Sequence, residues 1–134
     1  MEGKSHINHP EILRQANLFK GMERLRGIAP TDIDGLIDYS GNSFVYIEGK
    51  SFNTKILKGQ QCALEHVIDS HRKAGHDSIA IIFKHEVREG DVIVKDQLVT
   101  DIYNGKWIKQ TKPVTVLKAI ERWEKHCELK GIQL

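Results

Sequence analysis

Hydrophobic and polar positions follow two different periods along this chain, and each period predicts one kind of element. Helical spacing predicts a first helix that starts at Asn8-His9-Pro10 and runs to about residue 26, where Gly27 and Pro30 end it. Helical stretches also cover about residues 59–74 and 111–131, the latter with Thr111 as its cap and Pro113 in its first turn. The apolar residues expected to face inward from the first helix are Ile12, Leu13, Ala16, Phe19, Met22 and Leu25.

Strand patterns occupy the segments between these helices. They cover residues 33–39, 43–50, 78–83, 92–94, 98–103 and 106–109. The run 78–83 is apolar throughout, which is typical of a central strand covered on both faces. The resulting order, α-β-β-α-β-β-β-α, predicts an α/β domain with helices on both sides of a mixed sheet.

The turn between the first two strands determines which residues share a face. Ser40-Gly41-Asn42 is a favourable hairpin turn, as is Asn104-Gly105 further along. With a three-residue loop at 40–42, residues directly opposite each other point to the same face, and Asp34 lies opposite Glu48. One face is then a core face of Gly35, Ile37, Tyr39, Val45, Ile47 and Gly49; the other carries Asp34, Leu36, Asp38, Phe44, Tyr46, Glu48 and Lys50. A two-residue loop would destroy this sorting.

Two carboxylates opposite each other, with roughly 5 Å between their Cβ atoms, destabilise a strand pair. Lys50 supplies one compensating positive charge, and a divalent cation would neutralise the remainder. Mg²⁺ suits such a site because it binds hard oxygen ligands, often one or two carboxylates together with phosphate oxygens. The alternative is an ordinary hairpin end with a Glu-Lys pair in solvent, since Glu-x-Lys is a common tripeptide.

The order of these residues resembles a known nuclease family. Asp34, a hairpin, Glu48-Gly49-Lys50 on an apolar strand and a following helix resemble the PD-(D/E)XK nuclease superfamily, which includes phage and archaeal Holliday-junction resolvases. The resemblance covers about residues 11–83 and leaves the C-terminal part unmatched. It implies a three-layer α/β/α restriction-endonuclease-like core and an Mg²⁺- or Mn²⁺-dependent endonuclease that hydrolyses DNA, with branched or junction DNA as one substrate class.

The resemblance also implies roles for particular residues. Asp34 and Glu48 would be metal ligands, with the main-chain carbonyl of Gly49 as a further one. Lys50 would orient or activate the attacking water, or stabilise the pentacovalent phosphorus. A glutamate of the first helix would join the metal; Glu11 is the candidate, and Glu23 is the alternative.

Two further features of the motif leave alternatives open. The glutamine that opens the helix after the second strand would be Gln60, or alternatively Gln61. The motif's proline does not precede Asp34, since the sequence there is Thr31-Asp32-Ile33-Asp34. Asp32 and Asp38 therefore remain alternative ligands.

The composition is that of an ordinary globular protein, with 40% hydrophobic and 28% charged residues among 134. This length predicts a single domain over residues 1–134, with residues 1–9 expected to be mobile. The apolar runs are too short to cross a bilayer and the polar start lacks a secretory signal pattern, so we expect a cytoplasmic protein with no membrane partner. Cys62 and Cys127 are then expected to be reduced packing residues.

The net charge of +2 says little about partners, but its distribution is uneven. From Lys106 onward there are seven Lys or Arg and three Glu, a bias that fits either phosphate contact or a solvated helix face. DNA is the expected partner. A nuclease with so little basic surface would also need a second copy or another factor to hold its substrate, so a homodimer is expected as one possibility.

Other residues offer weaker hypotheses. His66 and His71 are spaced wrongly for a shared zinc ligand face, and we expect no zinc site. Lys84-His85 follows the third strand and could reach a substrate. Trp107 and Trp123 are expected to be core residues rather than base-stacking platforms. The second function class is a catalytically inactive module of the same fold that binds nucleic acid or protein.

Overall fold

The computed structural model describes residues 20–52, 54–86 and 90–134. The chain divides into two compact units, Met1–Thr31 and Asp32–Leu134, and each is described here by itself. Residues 1–9, Glu11 and the inward positions Ile12, Leu13, Ala16 and Phe19 lie outside the described residues. That the whole chain forms one domain stays a prediction.

The described part of the first unit is not the end of an α-helix, and the prediction is wrong for residues 20–26. Only the single 3₁₀ turn Leu25–Gly27 forms there. Gly21 and Arg26 have φ angles of 84° and 60°, in the left-handed region that a right-handed helix cannot contain. Met22 and Leu25, predicted to face inward, are 50% and 75% exposed.

The second unit is a mixed α/β fold, as predicted. Its elements are β1 (Gly35–Asp38), β2 (Phe44–Ser51), α1 (Lys58–Lys73), β3 (Ser78–His85), β4 (Leu98–Tyr103), β5 (Trp107–Lys109) and α2 (Val116–Leu129). The sheet has five strands in the order β1-β2-β3-β4-β5. Strands β2 and β3 are parallel and the other neighbours are antiparallel. A parallel pair needs a crossover, which helix α1 provides, while helix α2 follows the last strand.

Two predicted elements of this unit differ from the structure. Residues 92–94 form no strand; Val92 and Val94 pack against the core while the 3₁₀ turn Val94–Asp96 follows. Helix α2 begins after Thr115, whose hydroxyl accepts a hydrogen bond from the Lys118 N–H, and not after Thr111. The chain before Thr115 is extended instead, because the Val99 N–H donates to the carbonyl of Val114 and ties this segment to β4.

The core lies on both sides of β3. Ile79, Ile81 and Phe83 belong to a cluster that includes Trp123 and Cys127 of α2. The alternate residues Ala80 and Ile82 belong to a second cluster that includes Leu64 and Ile68 of α1. Since successive side chains of a strand point to opposite faces, the two helices cover opposite faces of the sheet. The prediction of a central strand buried on both faces is therefore confirmed.

The register of the first hairpin is also as predicted. Gly35 pairs with Ile47 and Ile37 with Val45, and the Tyr39 N–H donates to the Ser43 carbonyl at 3.0 Å. The loop therefore has three residues, and its φ angles are 56° at Ser40 and 79° at Gly41. The residues predicted for the core face, Ile37, Tyr39, Val45 and Ile47, pack on the α2 side of the sheet, and Tyr46 packs on the α1 side.

Both cysteines are free, and Cys127 is fully buried in the core, as expected for reduced packing residues. Burial raises the pKa of the Cys127 thiol to about 11, so it is uncharged at neutral pH. None of the helices in the described part of the chain combines the length and apolarity needed to span a bilayer.

Candidate active site

The first hairpin brings Asp34 and Glu48 together. They form the next pair after Gly35 and Ile47, on the face that α1 covers. The Asp34 N–H donates to Glu48 Oε1 at 3.2 Å, and the Gly49 N–H donates to Asp34 Oδ2 at 2.7 Å. Each carboxylate thus accepts a main-chain hydrogen bond from the other strand, which holds the two acidic groups at one end of the hairpin.

Glu48 is almost completely buried, at 3% exposure, and two side chains bind its second oxygen. Lys50 lies two residues further along β2 and so on the same face, with its Nζ 3.1 Å from Glu48 Oε2. Gln60, in the first turn of α1, donates its Nε2 to the same oxygen at 2.6 Å. Gln60 also donates to the main-chain carbonyl of Asp32 at 3.0 Å, which fixes the start of α1 over the site.

The electrostatics of this group are only partly balanced. Burial raises the pKa of the Glu48 carboxyl, and the nearby charge of Asp34 raises it further. The hydrogen bond and charge of Lys50 lower it, but less than the first two causes raise it. Without a cation, the protein therefore disfavours the charged form of Glu48, as expected where a carboxylate is buried beside another.

Packing requires a glycine at position 49, and the sequence pattern did not predict this requirement. It lies beside Phe83 of β3, and a Cβ atom at Gly49 would be 2.3 Å from the Phe83 Cζ atom. Glycine at position 49 therefore lets the aromatic ring pack directly on β2, on the face of the sheet opposite Glu48 and Lys50. The sequence gives no signal of this contact, since it depends on the parallel pairing of β2 with β3.

The alternative residues have other partners. Asp38 Oδ1 accepts a hydrogen bond from the Gly41 N–H at 2.7 Å and so stabilises the hairpin turn. The Gln61 side chain donates to Glu65 at 3.3 Å, further along α1. Of the two glutamines, Gln60 is thus the one that reaches Glu48. Glu23 belongs to the Met1–Thr31 unit and is not part of a helix, so it is not the first-helix glutamate that the resemblance implies. A role for Glu11, which lies outside the described residues, stays a prediction.

The two tryptophans lie in or beside the core. Trp123 is 7% exposed in the α2-side cluster, and Trp107 packs on the α1 side and donates its Nε1 to Glu65 at 2.5 Å. Lys84 lies next to Lys50 in the register of β2 and β3. It therefore points to the same face of the sheet as the candidate site.

The donor atoms at this site suit a hard divalent cation. They are two carboxylates and the Gln60 amide, whose Oε1 is buried without a hydrogen-bond partner among the described residues. Mg²⁺ is commonly held by one or two carboxylates, with substrate oxygens and water completing its shell. The described residues contain no group of three or more His, Cys, Asp or Glu that could hold a metal by itself. A cation here would thus depend on substrate or water for much of its coordination.

Comparisons with protein-family models, with curated proteins and with solved structures find no match to this chain. Membership of the PD-(D/E)XK superfamily therefore stays a prediction from the sequence motif.

Proposed function

We propose that this chain is a divalent-metal-dependent endonuclease that hydrolyses phosphodiester bonds in DNA. The observation that supports this best is the convergence of Asp34, Glu48 and Lys50 at the end of one hairpin, with two carboxylates held together at a cost in stability. The proposal includes the restriction-endonuclease-like fold, for which helices on opposite faces of a mixed sheet are the expected arrangement.

The residues of the site divide into those that bind a cation and one that acts on the substrate. Asp34 and Glu48 would hold Mg²⁺ or Mn²⁺, together with the Gln60 amide oxygen and the Gly49 carbonyl. When bound, such a cation stabilises negative charge on a phosphoryl oxygen and makes a water molecule more acidic. The buried position of Glu48 keeps its carboxylate fixed, so that little reorganisation is needed.

Lys50 would act on the phosphate. Its ammonium group is 3.1 Å from Glu48 Oε2, and the side chain is only 17% exposed, so the charge is held in position by β2 and the carboxylate. Charge grows on the phosphate oxygens in the transition state, and a positive charge that is already held in position stabilises it without the reorganisation that water needs. The same ammonium can orient the attacking water by hydrogen bonding.

The direct test is a cleavage assay on plasmid and branched DNA with Mg²⁺, with Mn²⁺ or with EDTA. We expect nicking that requires the metal, and we expect Lys50→Ala to reduce its rate by about 10²-fold or more. Lys125→Ala is the matched control, because Lys125 lies exposed on α2 and pairs with Glu128. Melting curves in EDTA should show that both variants are folded.

The same experiment distinguishes the second function class. If the wild type binds DNA but leaves every substrate intact with each metal, the catalytically inactive binding module is the better description. If cleavage occurs and is unaffected by Lys50→Ala, the chemistry is located elsewhere and the proposed site is wrong.

A further inference from the structure

A groove beside the candidate site carries a row of lysines. It has a volume of about 380 Å³, and it extends from Phe52 and Lys84 to Lys109 and Lys112. These residues come from the ends of β2, β3 and β5 and from the segment before α2. The groove therefore lies where several strands end, close to the end of β2 that carries Lys50.

One lining residue of the groove, Lys84, is the cross-strand neighbour of Lys50 in the candidate site. Lys50 of β2 pairs with Lys84 of β3, as Glu48 pairs with Ile82. Paired residues of neighbouring strands share a face, and neighbouring strands are roughly 4.8 Å apart. A phosphate chain that contacts Lys50 thus meets Lys84 as its next positive charge.

The charge of the groove favours a polyanion. Among its described lining residues are three lysines, Lys84, Lys109 and Lys112, and no carboxylate. Within the described ranges none of these three lysines forms an ion pair. Asp101 lies opposite Lys109 in the register and partly offsets its charge.

A second groove shows which direction a polyanion would take. It shares Phe52 and Lys84 with the first, but Glu86 and Asp96 line its other side. A chain of phosphates would be repelled on that side and attracted toward Lys109 and Lys112.

An exposed aromatic ring lies at the start of the lysine groove. Phe52 is 57% exposed, and Leu98, which also lines the groove, is 52% exposed. An exposed aromatic side chain beside lysines is typical of single-strand binding, where a base stacks on the ring while the lysines contact phosphates. Bases in a continuous duplex are stacked on each other and do not offer a free face.

We infer that this groove binds an unpaired strand of nucleic acid that continues from the scissile phosphate, with Lys84, Lys109 and Lys112 on its phosphates and Phe52 under a base. The inference rests on the proposed function for the position of the scissile phosphate near Lys50. It narrows the substrate class to DNA with an unpaired segment next to the cut, such as a flap or an open branch, rather than a continuous duplex.

The test measures binding without cleavage. Fluorescence anisotropy in EDTA, over a range of salt concentrations, compares a labelled oligothymidylate with a duplex of equal length. We expect the wild type to prefer the single strand. Phe52→Ala should weaken single-strand binding about tenfold or more. The triple variant Lys84→Ala/Lys109→Ala/Lys112→Ala should make the negative slope of log affinity against log salt concentration less steep by about 2.

A control variant removes the same amount of charge elsewhere. Lys118→Ala/Lys125→Ala/Lys130→Ala changes three exposed lysines on or after α2 and should keep most of the single-strand affinity. Equal losses in both triple variants, a preference for duplex, or no effect of Phe52→Ala would each overturn the inference. Since EDTA prevents metal-dependent cleavage, a protein that binds single strands through the groove yet never cuts DNA contradicts only the nuclease proposal.

Discussion

The two edges of the sheet differ in how they place charge within a single cross-strand row. Glu48 pairs with Ile82, Ile82 with Asp101, and Asp101 with Lys109, while Asp34 lies opposite Glu48 at the other end. At the β5 edge an acid faces a base, which stabilises a strand pair. At the β1 edge an acid faces an acid, which destabilises it.

Turn geometry does not explain the difference. Both hairpins have three-residue loops with a central glycine, Ser40-Gly41-Asn42 and Asn104-Gly105-Lys106. A basic residue at position 34 would have given the first hairpin the same complementarity as the second. The Asp34 carboxylate accepts a hydrogen bond from the Gly49 N–H, but an uncharged amide oxygen could accept it as well, and we propose that the negative charge serves cation binding.

The largest effect is expected at the glycine between the charged residues of the motif. Gly49→Ala should lower the free energy of unfolding by about 2 kcal/mol, because its Cβ would overlap the buried Phe83 ring. Urea denaturation in EDTA measures this. If the loss is due to overlap, the double variant Gly49→Ala/Phe83→Leu should cost less than the sum of the two single changes.

Gly35 is the matched control for this change. It lies in the neighbouring strand of the same hairpin, and the nearest atom to an added Cβ would be Ile47 Cβ at an ordinary 3.6 Å. Gly35→Ala should therefore change stability by less than about 0.5 kcal/mol. Similar losses for both glycines would show that the hairpin, and not the Phe83 contact, is what the substitutions disturb.

Substitutions that change the charge at one edge of the row should have smaller effects on the free energy of unfolding. Asp34→Asn keeps an oxygen for the Gly49 N–H but removes one charge, and should raise stability in EDTA by about 0.5 kcal/mol. Lys109→Glu creates a like-charge pair with Asp101 and should lower stability by a similar amount. Glu48→Gln should stabilise the protein less than Asp34→Asn does, because it also removes the ion pair with Lys50.

Metal titrations should affect the melting temperature through the acidic edge and not through the β5 edge. Mg²⁺ or Mn²⁺ should raise the melting temperature of the wild type and of Lys109→Glu, but not of Asp34→Asn or Glu48→Gln. If Asp34→Asn and Glu48→Gln both lower stability in EDTA and leave the response of the melting temperature to metal unchanged, the two carboxylates are ordinary hairpin residues.

The pairing of charged residues at the β1 edge of this row could be predicted from the sequence, and the pairing at the β5 edge could not. Asp34 and Glu48 are joined by a short local loop, so the sorting of apolar residues was enough to determine their register. Reaching Asp101 from Glu48 requires the parallel pairing of β2 with β3 and the pairing of β3 with β4, and neither register is set by a short local loop. The contact of Gly49 with Phe83 and the groove beside Lys84 depend on the same pairings.

Errors in element boundaries have similar causes. Thr111 and Pro113 read as a helix start, but hydrogen bonds from β4 keep the chain extended as far as Thr115. The apolar triplet at residues 92–94 has a strand-like pattern, yet Val92 and Val94 pack on the α2-side cluster while Ile93 is exposed. In both places a tertiary contact overrides a local pattern.

The smallest expected effect is a pH dependence of the folded protein's stability that arises from Glu48 at the acidic edge. The pKa of Glu48 is raised in the folded protein, first by burial and then by Asp34. The folded state therefore retains a proton that the unfolded state has released. This contribution to stability is complete below the ordinary carboxyl value of 4.5 and is lost as the pH rises through the higher folded pKa.

Glu48→Gln cannot titrate at this position, so its stability relative to the wild type should increase as the pH rises through that window. Unfolding midpoints in urea, measured in EDTA at a series of pH values, give this difference directly. Lys109→Gln changes the other edge and leaves Glu48 in place, so its difference from the wild type should stay nearly constant over the same window. A constant difference for Glu48→Gln as well would mean that the charge of Glu48 costs the folded protein nothing, and the argument for a cation at the acidic edge would lose its electrostatic basis.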